Sequence, residues 1–235
     1  MTDASLSETL REKEHAGTGP GEITPDGCAV RMWARLATNG EPEIIEAAVP
    51  SGATILELGA GAGRMTRPLR EKGFRVTAVD ESAAMLAQIQ DTPTVCSAIE
   101  GLRLAARFDV VTLTSFLVNT ADPALRAELL RTCAHHVADG GCVLVQCEGA
   151  WHTEVEPGTE WERDGMTIRL ASRERLEDGA RRTRMEYVFE DAAWSQTFLS
   201  HRLSQQEVEE ALAEAGLAVD RWLTEDRTWV RAVPG

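Results

Sequence analysis

The sequence predicts an α/β protein: a seven-stranded, mostly parallel sheet with helices on both faces, and an antiparallel meander inserted after the fifth strand. Three observations carry that expectation. Short apolar runs alternate with segments of helical periodicity from "TILEL" to "CVLVQC", and strands alternating with helices build parallel sheets covered on both faces. The run "TILELGAGAGRMTRPLREKGFRVTAVD" places a glycine turn between a buried strand and a helix, and ends on an acid. After Glu148 the pattern changes to three extended segments, "MTIRLASRERL", "RRTRMEYVFE" and "WSQTFLSHRL", joined by "EDG" and "EDAA".

The elements follow in order. Asp26 to Asn39 carries Val30, Trp33, Ala34 and Ala37 at helical spacing, and Gly40 and Pro42 break it. A second helix is expected from Glu43 to Val49. "TILEL" reads as a buried strand, interrupted in polarity only at Glu57. The helix from Arg64 to Lys72 tolerates Pro68 near its first turn, where a missing N–H does least harm, and Gly73 closes it. "RVTAV", "TVCSA", "FDVVTL" and "CVLVQC" are further strands, and "SAAMLAQI" is a helix. Asp122 reads as the N-cap of the helix in "DPALRAELLRTCAHHVA", with Pro123 at its first position. "DGG" after it reads as a turn. Ser204 and Glu207 form a capping box that opens a helix through Ala215, ended by Gly216. "LAVDRWLTEDRTWVRAV" reads as a closing hairpin. The expected organisation is an N-terminal arm or lid over 1–24, a ligand-binding core over 25–147, the meander over 148–203, and a helix and hairpin over 204–235 that complete the core sheet of a single domain.

Composition narrows the function. The 235 residues hold 24 basic and 38 acidic side chains, a formal charge of −14, which argues against phosphate-driven binding of nucleic acid. Arg181, Arg182 and Arg184 are the one dense basic cluster and read as a solvated strand face. No apolar run reaches the length of a membrane span. "MTDASLSETLREKEHAG" lacks the layout of a signal peptide, so the expectation is a soluble, cytoplasmic protein. The five cysteines, Cys28, Cys96, Cys133, Cys142 and Cys147, show no C-x-x-C spacing of a zinc or redox site, and their odd number with no secretion signal favours reduced thiols. His135 and His136 are adjacent and point apart on a helix, and no metal site is expected. Homo-oligomerisation stays open.

The chemistry sits in the glycine turn. Gly59, Gly61 and Gly63 lie where a strand becomes a helix, and glycine lets a ligand approach the backbone closely. Ligands of open parallel sheets bind at the carboxyl ends of the strands. Asp80 ends the next strand, where its carboxylate can accept both hydroxyls of a ribose. A dinucleotide fingerprint wants a third glycine at the position of Arg64, which counts against the rival reading, a nicotinamide- or flavin-dependent oxidoreductase. "E-L-G-A-G-A-G", with Glu57 two residues before the first glycine, suits S-adenosylmethionine better, since that ligand carries an amino group and a sulfonium and has no phosphate.

"ILELGAGAGRMTRPLREKGFRVTAVDESAAML" resembles the first two motifs of the class I S-adenosylmethionine-dependent methyltransferases, which have a Rossmann-like fold. "FDVVTLTSFLVNT" and "VADGGCVLVQ" resemble that family's fourth- and fifth-strand segments, so the likeness covers roughly Ile44 to Cys147. The meander is similar to that of small-molecule N-methyltransferases related to glycine and sugar-amine methyltransferases. The resemblance implies that Glu57 approaches the methionine amino group of the donor. It also implies that Gly59, Ala60, Gly61 and Gly63 pass under methionine and ribose, that Asp80 accepts the ribose hydroxyls, and that Glu81, Met85 and Ser115 border the donor. The family places an acid or polar group after the third strand; "CSAIEG" has no Asp there, and Ser97, or the backbone of Ala98 and Ile99, stands in its place.

Asn119, in the segment that faces the transferred methyl group, either orients the acceptor or caps the approach to the Asp122 helix. Glu148, Trp151 and His152 follow the fifth strand on the far wall of the site, and Trp33 precedes the core. Tryptophan faces suit stacking on a ring or holding a cation. The implied acceptor is therefore an aromatic or heteroaromatic, indole-like molecule, or an amine, from secondary metabolism. A donor-binding regulatory domain that has lost the chemistry is the non-enzyme alternative.

Overall fold

The computed structural model describes residues 15–235, so the arm expected over 1–24 is seen from His15 onward. In chain order the elements are β1 (Ala16–Thr18), α1 (Val30–Trp33), α2 (Glu41–Ala48), β2 (Thr54–Leu58), α3 (Thr66–Glu71), β3 (Arg75–Asp80) and α4 (Ala83–Leu86). Next come β4 (Thr94–Cys96), β5 (Phe108–Leu113), a 3-10 turn (Leu117–Asn119), α5 (Pro123–His136), β6 (Val137–Gln146) and α6 (Trp151–Glu154). The last are β7 (Glu160–Arg163), β8 (Met166–Arg175), β9 (Arg181–Val188), β10 (Ala193–Ser200), α7 (Gln205–Glu214), β11 (Leu217–Trp222) and β12 (Trp229–Pro234). The chain forms two compact units: Thr38–Ala150 with Arg202–Gly235, and the described residues up to Ala37 with Trp151–His201.

The larger unit is built on a sheet of order β11-β12-β6-β5-β2-β3-β4. From β6 to β4 neighbouring strands run parallel, while β12 and β11 are antiparallel. Strands buried on both faces should read as continuous apolar runs, and Ile55, Leu56, Leu58, Val110, Val111, Leu113, Val143, Leu144 and Val145 are fully buried. One face packs Leu56, Leu58, Val111, Leu113 and Val143 against Leu129 and Leu130 of α5 and Val208 and Leu212 of α7. The other packs Ile55, Val110, Cys142 and Leu144 against Ile45 of α2, Leu69 of α3 and Trp229. Each such aliphatic side chain contributes about 1.5–3 kcal/mol. Cys142 and Cys147 are core residues, as their apolar surroundings suggest.

Caps set the helix ends. Asp122 accepts the N–H groups of Ala124 and Leu125 at the start of α5, and Ser204 and Glu207 close a reciprocal box at the start of α7. Two expectations need correction in this region. "DGG" is no turn between elements. It lies inside β6, which pairs with β5 at Val137 and again from Cys142, and the register shifts between. Helix α3 covers only Thr66–Glu71, because the residues from Gly59 to Met65 are spent on the glycine turn.

The smaller unit is a five-stranded antiparallel sheet, β1-β10-β9-β8-β7. The three extended segments are its centre, and β1 and β7 are edge strands that the sequence pattern did not mark. The helix expected over 26–39 shrinks to Val30–Trp33. The hydroxyl of Thr24 accepts the N–H of Cys28 at 3.0 Å, and Gly27 sits at φ +82°. A side-chain-stabilised turn thus takes the place of the first helical turns. Ala29, Met32 and Trp194 are buried together, with Trp33, Leu36, Tyr187 and Phe189 around them. The Arg35 guanidinium lies 4.0 Å from the Phe189 ring centroid.

Candidate functional site

In the larger unit the carboxyl ends of β2, β3, β4, β5 and β6 lie along one edge of the sheet. The residues after those ends are the ones singled out by the sequence. Gly59, Gly61 and Gly63 all have left-handed backbone, at φ +71°, +54° and +82°, which a side chain would strain. Around Gly61 there is open space: a Cβ there would meet no atom within 4 Å. At Gly59 it would lie 2.6 Å from the Leu117 Cδ1 methyl, so the Leu117 side chain would have to shift.

Asp80 fastens this turn. Its Oδ2 accepts the N–H of Gly61 at 2.8 Å, and its Oδ1 accepts the N–H of Ser82 at 2.9 Å. Glu57 is buried on β2, and its Oε2 accepts the Thr66 hydroxyl at 2.6 Å. Burial pushes its carboxyl up to about 7, against the Thr66 hydrogen bond and the charge of Arg64, which pull it down.

Arg64 occupies the position that a dinucleotide fingerprint reserves for glycine. It forms a 2.7 Å ion pair with Glu41 of α2, and both side chains are about nine-tenths buried. Burial raises the Glu41 carboxyl, but Arg64 and the N–H of Asn39 overcome it and hold the group below its ordinary range. The glycine turn is thereby tied to a helix earlier in the chain.

The residues expected on the adenine side are placed less openly. Met85 is buried in α4, whose N-cap Ser82 accepts the N–H of Met85. The Ser97 N–H donates to the Asp80 carbonyl, its hydroxyl donates to the carbonyl of Ala98, and the Ile99 carbonyl accepts the Thr132 hydroxyl. Local backbone thus takes up the Ser97 hydroxyl. Ala60 is buried, and Glu81 follows Asp80 on the exposed rim.

Beyond β5 the chain is strained and braced. Ser115 and Phe116 are consecutive non-glycine residues at φ +54° and +61°, a conformation costing on the order of 1 kcal/mol or more each. The Ser115 N–H donates to Oε1 of Gln146 on β6 at 2.9 Å. Asn119 is buried, and its Oδ1 accepts the N–H of Glu148 at 2.8 Å, joining the segments after β5 and β6. Arg126 of α5 donates to the carbonyls of Val118 and Thr120. Leu117, Gln146 and Arg126 had no sequence signal, since their roles depend on which strands become neighbours. Trp33, Trp151 and His152 belong to the smaller unit. The Trp33 indole N–H is buried with no hydrogen-bond partner, and Trp151 and His152 open α6. Among the described residues, no group of three or more His, Cys, Asp or Glu side chains is placed to hold a metal ion, and no helix is long and apolar enough to cross a membrane.

An open α/β sheet with a glycine turn locked to an acid at the end of the next strand defines a nucleoside-binding protein of the methyltransferase type. The chain belongs to the methyltransferase domain family, whose profile matches residues 31–221. Over 108 residues, 40% of each chain, it is 33% identical to a ubiquinone biosynthesis O-methyltransferase of a Caulobacter species. Over 105 residues it is 34% identical to a cypemycin N-terminal methyltransferase of a Streptomyces species, covering 41% of this chain and 42% of that one. These alignments span about two fifths of the relatives' length. In fold it is similar to an amino pentose methyltransferase from Micromonospora echinaspora solved with S-adenosylmethionine bound. The TM-score is 0.63 at 20% identity, over 89% of this chain and 93% of that one.

The donor of this family is S-adenosylmethionine, and the residues present fit it. Gly61 leaves open space beside a left-handed backbone where a ligand can approach closely, and the carboxyl groups of Glu57 and Asp80 lie at the ends of the two strands that flank the turn.

Proposed function

We propose that this chain transfers a methyl group from S-adenosylmethionine to a nitrogen of a small amine acceptor. The observation that carries the donor half is the Asp80 carboxylate hydrogen-bonded to Gly61 at the rim of the parallel sheet. S-adenosylmethionine supplies a methyl group already activated on a sulfonium, which leaves the protein chiefly the task of alignment. Asp80 would hold the ribose, and Glu57 and the glycine turn the methionine end.

The acceptor half rests on the braced segments after β5 and β6. Asn119 and Glu148 are both buried there. An amide and a carboxylate suit an amino group, which needs orientation and a place for its proton. The similar proteins are named for both nitrogen and oxygen acceptors, so the choice of nitrogen rests on Asn119 and Glu148.

The test is a screen with methyl-labelled donor against amino sugars, peptide N-termini, indoles and phenols, with calorimetry of S-adenosylhomocysteine and the nicotinamide cofactors alongside. Labelled amines and affinity for S-adenosylhomocysteine alone are expected. Label confined to phenols or to an indole ring would overturn the nitrogen acceptor. Affinity for a nicotinamide cofactor instead of S-adenosylhomocysteine would overturn the whole reading.

A further inference from the structure

The arginines of β9 are sorted by register into two groups. Residues directly opposite in an antiparallel pair share a face. Arg182 pairs with Glu174 across β8, and their side chains form a 3.0 Å ion pair. Arg184 lies 3.5 Å from Glu186, two residues along the same strand. Both therefore have carboxylates, as the solvated-face reading expects.

Arg181 lies on the opposite face and differs. It stands across from Arg175 of β8 and Ser200 of β10, one position along that face from Thr183. That face is the one carrying Leu170, Thr183, Trp194, Gln196 and Ser200, all buried. The register shift between Leu170 and Ser172 inserts an extra residue. It turns Arg173 and Arg175 to this side, since a one-residue shift exchanges the faces of a strand. By register, three guanidinium-bearing side chains thus share one end of this face, away from Arg163, which stands opposite Met166 at the other end. Arg173 donates to the Val155 carbonyl. Nη1 of Arg181 is buried and has no hydrogen-bond partner.

A buried donor on a charged group is costly to leave unsatisfied. Here the cost stands in a chain with 38 acidic residues, including Glu177 and Asp178 in the adjoining turn. None of the described acids forms an ion pair with Arg181, although acids do pair with the other two arginines of the strand. A guanidinium fork has the geometry to bind carboxylate or phosphate through two parallel hydrogen bonds.

We propose that Arg181, with Arg173 and Arg175 beside it, forms an oxoanion-binding site that takes the carboxylate or phosphate group of a small-molecule ligand. The site stands on the smaller unit's own sheet and does not depend on methyl transfer.

The test uses the full chain in an anion-poor buffer. Inorganic phosphate, inorganic pyrophosphate and malonate are titrated by calorimetry into the wild type, Arg181→Gln and Arg181→Lys, with S-adenosylhomocysteine titrated into the same samples. Saturable binding of at least one anion is expected. Arg181→Gln should weaken it by about tenfold or more, Arg181→Lys less, and the affinity for S-adenosylhomocysteine should stay unchanged. A preference for the phosphates over malonate, or the reverse, identifies which oxoanion the site takes. No saturable binding of any of the three would mean that solvent satisfies Nη1, and would overturn the site. Equal binding by Arg181→Gln would place the anion elsewhere and overturn it as well. Removing a guanidinium with an unsatisfied buried N–H should leave the anion-free thermal midpoint unchanged or higher. A clear fall in both variants would make Arg181 structural and defeat the proposal.

Discussion

At the scale of single residues, Glu57 makes the sharpest statement, because its proton is coupled to folding. A carboxyl raised from 4.5 to about 7 by burial keeps its proton in the folded state when the unfolded chain has lost it. Its contribution to stability is therefore greatest below about pH 4.5 and declines as pH rises toward 7, by on the order of 3 kcal/mol in total. Glu57→Gln should flatten that decline, measured by urea unfolding at pH 5 and pH 8 without donor, and should weaken S-adenosylhomocysteine binding. A wild-type slope in the variant would show that Glu57 is not the group responsible. Asp80 works differently, through geometry. Its two oxygens already hold Gly61 and Ser82, so Asp80→Ala loosens the turn as well as removing the proposed sugar acceptor. Affinity for S-adenosylhomocysteine should fall by roughly 10- to 100-fold, and an unchanged value in a folded variant would remove Asp80 from the site. The placement of Glu57 and Asp80 beside the glycine turn was legible in sequence because they lie in one continuous stretch whose strand, turn and strand fix their neighbours. Ser97 was less so: the hydroxyl assigned to adenine is bonded to the adjacent carbonyl, a local competition that spacing does not reveal.

At the scale of elements, the glycine turn and the segment after β5 are each held by distant braces. The Arg64–Glu41 pair connects the turn to α2. Arg64→Met would leave a buried, unpaired carboxylate and should cost about 3 kcal/mol, while Arg64→Met with Glu41→Leu should recover most of it. Chemical denaturation of the three variants checks this, and equal stability of the single and double variants would argue that the pair is not coupled. Asn119 links the segments after β5 and β6 through the Glu148 N–H. Asn119→Ala should lower turnover by about tenfold or more while S-adenosylhomocysteine affinity changes little; wild-type turnover would dismiss it from the acceptor side. The braces explain what the sequence could and could not disclose. β5 and the caps of α5 and α7 are written in nearest neighbours and are found as expected. The short edge strands β1 and β7, the strand through "DGG", and the partners Glu41, Leu117, Gln146 and Arg126 depend on pairings far apart in the chain. The helix expected over 26–39 failed because Thr24 and Gly27 form a turn that apolar periodicity does not register.

At the scale of the whole molecule, the formal charge of −14 is a field that every folded conformation must tolerate. Self-repulsion among surface carboxylates weakens as the Debye length shrinks from about 30 Å at 0.01 M salt to about 10 Å at 0.1 M. The thermal midpoint should therefore rise over that range, as calorimetry can show; a falling midpoint would mean that the surface ion pairs outweigh the repulsion. The topology carries a further consequence, for synthesis on the ribosome. β1 leaves the exit tunnel first among the described strands, yet its partner is β10, with Ala16 seated against Thr197. At about 5–20 residues per second, the strand travels roughly ten to forty seconds as an unclaimed ribbon edge before its mate emerges. The earliest strand of the smaller sheet is thus the last to find its seat. A nascent chain stalled before β10 should present that edge to chaperones.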